Sequence, residues 1–348
     1  FPFPNKARGR ARLLRELHLY LDIDEPAGHP QECTVSLEPM DFVPYLIQPA
    51  RWEELPPRWE EVFPRPAPLA VEIGFGNGEF LAEMAQKYPD WNWVGFETSL
   101  TCIVKTGRKL RLAGVENVRL ALLDGKFGLR ELFPDQSVSR VYVNFPCPWP
   151  KSRHAARRLV DQGFAQTLAA VLAPEGEFHL VTDARWYADE AGEHLRLAGL
   201  AVEGPDLLQA QGPGTRYERK WRAHGLSIWR LVAQPIKLGK VKRIAEGAMP
   251  HAKVAVSFSR EKIAALCGLK ETWTEGAFVL KDVFFSATEK AALVRVFSHD
   301  AGFSQHFFLS IAEHKGGLIV QLDAASTPFR TPAVKRAVAK AAEVLGTP

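Results

Sequence analysis

Hydrophobic positions in the middle of the chain alternate between short continuous runs and helical spacing. Leu69 to Ile73 form an apolar run around one acid, Glu72, and a glycine-rich turn follows at residues 74 to 78. Apolar residues then recur at helical spacing from Phe80, and Pro89 ends this segment. A strand, a glycine turn and a helix in this order predict the βα unit of a nucleotide-binding α/β fold.

Acids follow the next two apolar runs. Trp91 to Phe96 is followed by Glu97, and Val118 to Leu123 is followed by Asp124. At strand ends, we expect Glu97 to accept hydrogen bonds from ribose hydroxyls and Asp124 to accept from an adenine amino group. The turn differs from the dinucleotide fingerprint because Glu79 occupies the position of its last glycine.

The pattern changes along the chain and predicts four segments. Residues 1–64 are rich in proline and tryptophan and form an N-terminal extension. Residues 65–234 alternate between strands and helices and form the main domain. Residues 235–250 form a basic linker, and residues 251–348 form a separate α+β domain. The fold class is therefore α/β with a doubly wound sheet, followed by a C-terminal α+β domain.

Several further elements are predicted from the same periodicities. An antiparallel hairpin at the sheet edge is expected from Thr215 to Lys220 and Leu226 to Val232. Helices are expected at Asp161 to Leu172, Ala184 to Ala198 and Thr331 to Leu345, and C-terminal strands at Lys253 to Phe258, Ala277 to Phe285, Ala291 to Phe297, Phe307 to Glu313 and Leu318 to Leu322. The C-terminal phenylalanines Phe278, Phe284, Phe285, Phe303, Phe307 and Phe308 are expected in a core instead of on a base-stacking surface.

A proline-rich loop with a row of cations extends from Asn144 to Leu159 and reads N-F-P-C-P-W-P-K-S-R-H-A-A-R-R-L. Proline fixes φ and restricts the preceding residue, so this loop holds Asn144, Cys147 and Trp149 in set positions. Four cations follow in the same loop: Lys151, Arg153, Arg157 and Arg158. A rigid polar surface beside cations suits a flat base with its phosphate, so these four cations are expected to contact phosphates of the RNA substrate.

These motifs together resemble the bacterial tRNA (guanine-N7-)-methyltransferases, which are class I S-adenosylmethionine-dependent enzymes. The matching pieces are V-E-I-G-F-G-N-G-E-F-L, the proline-rich loop, T-D-A-R-W-Y-A from Thr182 and T-R-Y-E from Thr215. They occur in the family's order and span roughly half of the chain. The resemblance implies methyl transfer from S-adenosylmethionine to N7 of a guanine in tRNA, expected at position 46 in the variable loop.

Residue roles are carried over by position. The resemblance places S-adenosylmethionine among Glu72, Gly74, Gly76, Gly78, Glu97 and Asp124. It places the RNA substrate at Lys151, Asp183, Thr215, Arg216, Tyr217 and Glu218.

Cys147 departs from the family pattern, which has an aspartate between the first two prolines of the loop. Guanine N7 carries an in-plane lone pair, so its attack on a sulfonium methyl requires alignment and no prior deprotonation. Cysteine is a weak hydrogen-bonding group, which weakens the assignment of this position to catalysis. Asn144 and Cys147 are the candidate catalytic residues, and Asp183 and Glu218 are further groups able to hold the base.

Two alternatives remain open at this point. Pro146-Cys147 resembles the dipeptide of RNA pyrimidine C5 methyltransferases, in which a thiolate adds to the ring. The surrounding motifs are not features of those enzymes. The other alternative is a catalytically weak tRNA-binding protein, although the complete set of cofactor residues argues against it.

Composition agrees with an intracellular RNA enzyme. The four cysteines are scattered without ligand spacing, so no metal is predicted. The sequence has no unbroken apolar run that is long enough to predict a membrane span, and a cytoplasmic location is expected. The formal net charge is +4, and the segment from residue 235 onward holds 16 Lys and Arg against 10 Asp and Glu. This balance agrees with a polyanionic partner, and no protein partner is implied.

Overall fold

A seven-stranded sheet forms the first half of the protein in the computed structural model, which describes residues 43–208 and 227–347. The strand order is β3-β2-β1-β4-β5-β7-β6, and β1 to β5 are mutually parallel where they pair. The strands are β1 Leu69–Ile73, β2 Asn92–Glu97, β3 Val118–Leu122, β4 Val138–Asn144, β5 Leu172–Thr182, β6 Leu200–Leu207 and β7 Trp229–Pro235. All five residues of β1 are buried, as expected for a central parallel strand covered on both faces.

One short helix precedes β1, and the other helices connect successive strands and cover the sheet. They span Trp59–Val62, Glu79–Lys87, Leu100–Leu112, Gly125–Leu132, Gln162–Val171 and Arg185–Leu197. Two begin at aspartate caps, because Asp124 accepts from the amide of Phe127 at 3.1 Å and Asp161 accepts from the amide of Phe164 at 2.9 Å. The helices predicted from Asp161 and from Ala184 are confirmed to within one residue at each end.

The antiparallel edge of the sheet is confirmed, but its partners differ from the prediction. β7 pairs antiparallel with both β5 and β6, so β6 is the outermost strand. The segment Thr215 to Lys220, predicted as the other half of the hairpin, lies outside the described residues. β6 escaped prediction because Gly204 and Pro205 interrupt its pattern, and an edge strand tolerates proline at an irregularity in pairing.

A second sheet forms the C-terminal region and is antiparallel throughout. Its order is β8-β13-β12-β11-β10-β9. The strands are β8 His251–Val254, β9 Lys270–Trp273, β10 Gly276–Phe285, β11 Ala291–Asp300, β12 Phe303–His314 and β13 Gly317–Leu322. Helix Pro332–Gly346 and the short helix Arg260–Ala264 pack on one face of this sheet. The predicted α+β region is confirmed, whereas β9 and the short helix were not predicted and β8 ends four residues before Phe258.

Aromatic stacking joins the two sheets within one compact unit. The Phe127 ring lies on the Phe303 ring with centroids 3.6 Å apart, and Phe329 contacts both rings. The Arg330 guanidinium donates to the carbonyls of Trp52 and Glu53, each at 2.8 Å. The C-terminal sheet is therefore packed directly against the helix that begins after Asp124.

Residues before and after the main alternating region also belong to this packing. Trp59 is buried, stacks on Phe133 with centroids 4.9 Å apart and donates to the carbonyl of Leu132 at 2.9 Å. In the segment 235–250, Arg243 donates to Asp135 at 2.7 Å, and Ala245 is buried. Both segments contribute side chains to the core of the first sheet, and the three boundaries between the predicted segments remain a prediction.

Candidate active site

The turn between β1 and helix Glu79–Lys87 requires glycine. Gly74, Gly76 and Gly78 have φ values of 74°, 54° and 66°, in the left-handed region that favours glycine. A Cβ atom at Gly78 would also lie 2.2 Å from the Thr106 methyl carbon. Open space surrounds a Cβ built at Gly74 or Gly76, with no atom within 4 Å. At Gly74 and Gly76 the turn therefore presents bare backbone to open space, which fits the close approach of a nucleoside.

Glu97, at the end of β2, holds this turn in place. Its Oε2 accepts from the Gly76 amide at 3.0 Å, and its Oε1 accepts from the amides of Thr98 at 2.8 Å and Ser99 at 2.9 Å. A carboxylate offers about four lone-pair positions, so three are used here. The remaining position can accept one hydrogen bond from a ligand, and the expected contact of Glu97 with ribose hydroxyls stays a prediction.

Glu72 is a buried carboxyl group behind the turn, at 2% exposure. Its Oε1 accepts from Nδ2 of Asn144 at 3.1 Å, while its buried Oε2 has no hydrogen-bond partner within the described structure. Burial raises the pKa of Glu72 to about 8, and the nearby Glu97 adds to this effect against the Asn144 hydrogen bond. An unpartnered buried carboxyl oxygen fits a site that receives a polar or cationic ligand group.

These residues meet where the parallel strands end, which we call the carboxyl edge of the sheet. Ile73 of β1 is in register with Phe96 of β2 and Val143 of β4, and Glu97 is in register with Leu122 of β3. Parallel strands end on the same side, where open α/β sheets bind ligands. Asp124 is exposed there, and its side chain accepts one hydrogen bond as the cap of the following helix. The predicted cofactor residues therefore share the carboxyl edge with Asn144.

The proline-rich loop leaves β4 at this edge with strained backbone. Phe145 and Trp149 have φ values of 51° and 47°, which side chains other than glycine adopt rarely. The Phe145 amide donates to the carbonyl of Val181 at 2.7 Å, which fixes the beginning of the loop against β5. Cys147 is exposed in this loop, whereas Asn144 is half-buried and directed toward Glu72.

The loop cations fall into two groups. Lys151, Arg153 and Arg157 are exposed, and the Arg157 guanidinium lies 5.0 Å from the Trp149 ring centroid. Arg158, in contrast, is buried at 9% exposure and donates to both carboxylate oxygens of Glu190 at 2.8 and 2.7 Å. This pairing differs from the prediction that Arg158 contacts phosphate, because its charge is already neutralised inside the protein.

Arg158 also closes the loop on itself. Its Nε donates to the Pro148 carbonyl at 3.3 Å and its Nη2 to the Trp149 carbonyl at 3.2 Å. The guanidinium lies 4.9 Å from the Trp186 ring centroid, on the same helix as Glu190. Glu190 is thus a site-forming residue that the sequence did not reveal, because it lies 32 positions from Arg158.

The remaining predicted residues are only partly described. Asp183 is half-buried between the end of β5 and helix Arg185–Leu197, so it also lies at the carboxyl edge. Thr215, Arg216, Tyr217 and Glu218 lie outside the described residues. Across residues 43–208 and 227–347, no cluster of His, Cys, Asp and Glu has the arrangement of a metal site. No helix in these two ranges has the length and apolarity to cross a membrane.

Comparison with known proteins identifies the family. Residues 66–231 match a family model described as a putative methyltransferase. A Thermotoga maritima protein is 41% identical over 307 residues, covering 86% of this chain and 96% of its own. Proteins from Coprothermobacter proteolyticus and Thermus thermophilus are 34% and 32% identical, covering 83% and 84% of this chain and 90% and 94% of their own. All three relatives are named tRNA (guanine-N7-)-methyltransferase. This chain belongs to the tRNA (guanine-N7-)-methyltransferase family.

Proposed function

We propose that the protein transfers a methyl group from S-adenosylmethionine to N7 of a guanine in tRNA. The observation that carries the proposal is the shared edge of the sheet. The glycine turn, the carboxyl groups of Glu72, Glu97 and Asp124, and the rigid loop after Asn144 all adjoin there. A nucleoside cofactor site and a base-holding loop at one edge are what methyl transfer between two ligands requires.

S-adenosylmethionine, when bound, supplies a sulfonium methyl that is open to attack by a lone pair. Glu97 would accept a ribose hydroxyl while it keeps the turn closed, and Asp124 would accept from the adenine amino group. Glu72 lies against Asn144 with one oxygen unpartnered within the described structure. It would stabilise a cationic group of the cofactor, because the ionised carboxylate becomes favourable beside a positive charge.

For the substrate, the protein's task is to hold the guanine in line and to stabilise the charge that it gains. N7 attacks with an existing lone pair, so no residue must remove a proton first. Asp183 at the carboxyl edge is the described carboxylate proposed to accept from the guanine edge. Cys147 would then form part of the pocket wall, and Lys151, Arg153 and Arg157 would contact phosphates with their exposed charges.

The finer parts of the proposal come from family resemblance. The target is proposed to be position 46 in the variable loop, with Thr215 to Glu218 also on the RNA. A cytoplasmic location and the division at residues 64, 234 and 250 are also proposed, on the basis of composition and the hydrophobic pattern. The named activity of the Thermotoga maritima relative, which aligns over most of both chains, supports the choice of tRNA.

Replacement of one atom in the substrate tests the proposal directly. Two transcripts of the same tRNA are compared, one containing guanosine and one containing 7-deazaguanosine, which has carbon in place of N7. Labelled methyl groups are expected on the first transcript and on none of the second. Equal labelling of both transcripts would reject N7 as the acceptor, and a labelled pyrimidine would favour the covalent alternative through Cys147.

A further inference from the structure

The face of the C-terminal sheet that points away from helix Pro332–Gly346 carries aromatic rings. We call it the outer aromatic face and define it by Lys281, Phe284, Arg295, Phe297, His306 and Phe308. Cross-strand register places Arg295 opposite Phe308 and Phe297 opposite His306, so these residues share one side. Their neighbours along each strand, such as Phe278 and Phe307, are buried on the other side. The prediction that all these phenylalanines form a core is therefore wrong for Phe284 and Phe308.

The rings on this face form two pairs. The Phe297 and His306 centroids are 5.0 Å apart, and those of Phe284 and Phe308 are 6.5 Å apart. Phe284 is 51% exposed although it is a large apolar side chain. Antiparallel sheets usually place polar residues on a face that meets water. Rings in these positions therefore indicate a surface that contacts a partner.

Positive charge accompanies the rings. The Lys281 ammonium lies 5.3 Å from the Phe297 ring centroid, and exposed Lys253 and Lys270 lie on the same face, on the strands at the two sheet edges. None of these three lysines forms an ion pair with another residue in the described ranges. Among the described residues, Asp282 is the acid that pairs on this face, and it neutralises Arg295. Charge complementarity thus favours an anionic partner with flat apolar groups.

We propose that the outer aromatic face binds unpaired nucleotides of the tRNA substrate, which extends the proposed function from the catalytic site to a second contact. Every base has a flat face that stacks on an aromatic side chain, and exposed lysines neutralise the linked phosphates. Proteins read single-stranded RNA on sheet surfaces in this manner. Phe297 and Phe308 are the expected stacking rings, and Lys281 the expected phosphate contact.

The test uses the full-length protein and fluorescence anisotropy with a labelled, unmodified tRNA transcript. A triple variant, Phe297→Ser with Phe308→Ser and Lys281→Glu, removes two rings and reverses one charge. Its tRNA affinity is expected to fall by at least about tenfold, since stacking and phosphate contacts are both lost. S-adenosylmethionine affinity and kcat at saturating tRNA should stay within about twofold, because the cofactor residues are unchanged.

A matched control reverses a charge on the other side of the sheet. Lys262 is exposed on helix Arg260–Ala264, and Lys262→Glu should leave tRNA affinity unchanged. If loss of the rings unfolds the triple variant, the double variant Lys253→Glu with Lys281→Glu replaces it, because both side chains are exposed. The double variant should bind tRNA more weakly than the wild-type protein. Its affinity should also depend less steeply on salt, since fewer phosphates are contacted.

Three results distinguish the possibilities. Wild-type tRNA affinity in the folded variants would overturn the inference. The wild-type protein could instead form a dimer that these substitutions dissociate without a change in tRNA affinity. That result would assign the face to self-association and would also overturn the inference. If N7 is not methylated by the wild-type protein, the proposed function fails, while the anisotropy comparison still decides whether this face binds tRNA.

Discussion

Replacement of Arg158 by methionine separates the substrate loop from the cofactor site. Methionine fills a similar volume but removes the charge and the hydrogen bonds that reach Glu190, Pro148 and Trp149. We expect tRNA methylation to fall while S-adenosylmethionine still binds, because the glycine turn is held by Glu97 and not by Arg158.

The magnitude follows from burial and from the number of bonds lost. Removal of one member of a fully buried ion pair costs about 3–5 kcal/mol. Glu190 is 31% exposed in its side chain, so water would partly replace the lost partner. We therefore expect Arg158→Met to remove about 2 kcal/mol of interaction free energy, which is the value for hydrogen bonds to a charged group. Small displacements of a positioning loop reduce rates by about a hundredfold, so kcat/KM for tRNA should fall by about 10- to 100-fold.

The assay measures kcat/KM for tRNA, cofactor affinity by calorimetry and Tm on the same samples. Arg65→Met is the matched control. Arg65 precedes β1, away from the carboxyl edge, and it pairs with the exposed Asp90. It should leave all three quantities near their wild-type values, as surface pairs contribute little. Full tRNA activity in folded Arg158→Met, or loss of cofactor binding that exceeds the loss of tRNA activity, would refute the positioning role.

Three further predictions concern the site itself. Glu97→Lys should abolish S-adenosylmethionine binding in calorimetry, because an acceptor for three backbone amides becomes a donor, whereas Glu83→Lys on an exposed helix position should not. Cofactor affinity should rise between pH 6 and pH 8, by up to about tenfold per unit, because a cationic ligand favours the ionised form of Glu72 and its binding releases a proton; Glu72→Gln should remove this dependence. Cys147→Ala should retain most tRNA methylation in a turnover assay, and Cys147→Asp should raise it by restoring an acceptor for the guanine edge.

Each of these predictions has a contrary outcome. Unchanged affinity in Glu97→Lys would remove this residue from the cofactor site. Binding that is independent of pH between 6 and 8 would mean that the Glu72 carboxyl does not change ionisation with the ligand. Complete loss of turnover in folded Cys147→Ala would support a covalent thiol and contradict attack by an unassisted N7 lone pair.

The strand ends could be predicted from the sequence because their signals are local. Glu97 and Asp124 each follow an apolar run directly, and the glycine spacing marks the turn between β1 and its helix. Their detailed roles could not be predicted in the same way. Glu97 holds the amide of Gly76, which lies 21 positions earlier, and only the folded sheet brings the two together.

Long-range partners also explain where the sequence prediction was incomplete. Trp59 lies in a segment without clear periodicity, yet it is buried against Phe133, 74 positions away in the chain. Phe284 and Phe308 lie in segments that were predicted as strands, but a strand prediction alone does not say which face another element covers. Helix Pro332–Gly346 packs on the other face of the sheet, so these two rings lie on the uncovered face.

Nucleoside analysis by mass spectrometry shows directly whether the protein methylates N7 of a guanine in tRNA. Unmodified tRNA is incubated with the protein and S-adenosylmethionine, then digested completely and compared with a reaction that lacks the cofactor. 7-Methylguanosine is expected only in the complete reaction, at a single guanine of the tRNA. A methylated pyrimidine, or a digest without any new methylated nucleoside from folded and cofactor-bound protein, would contradict it.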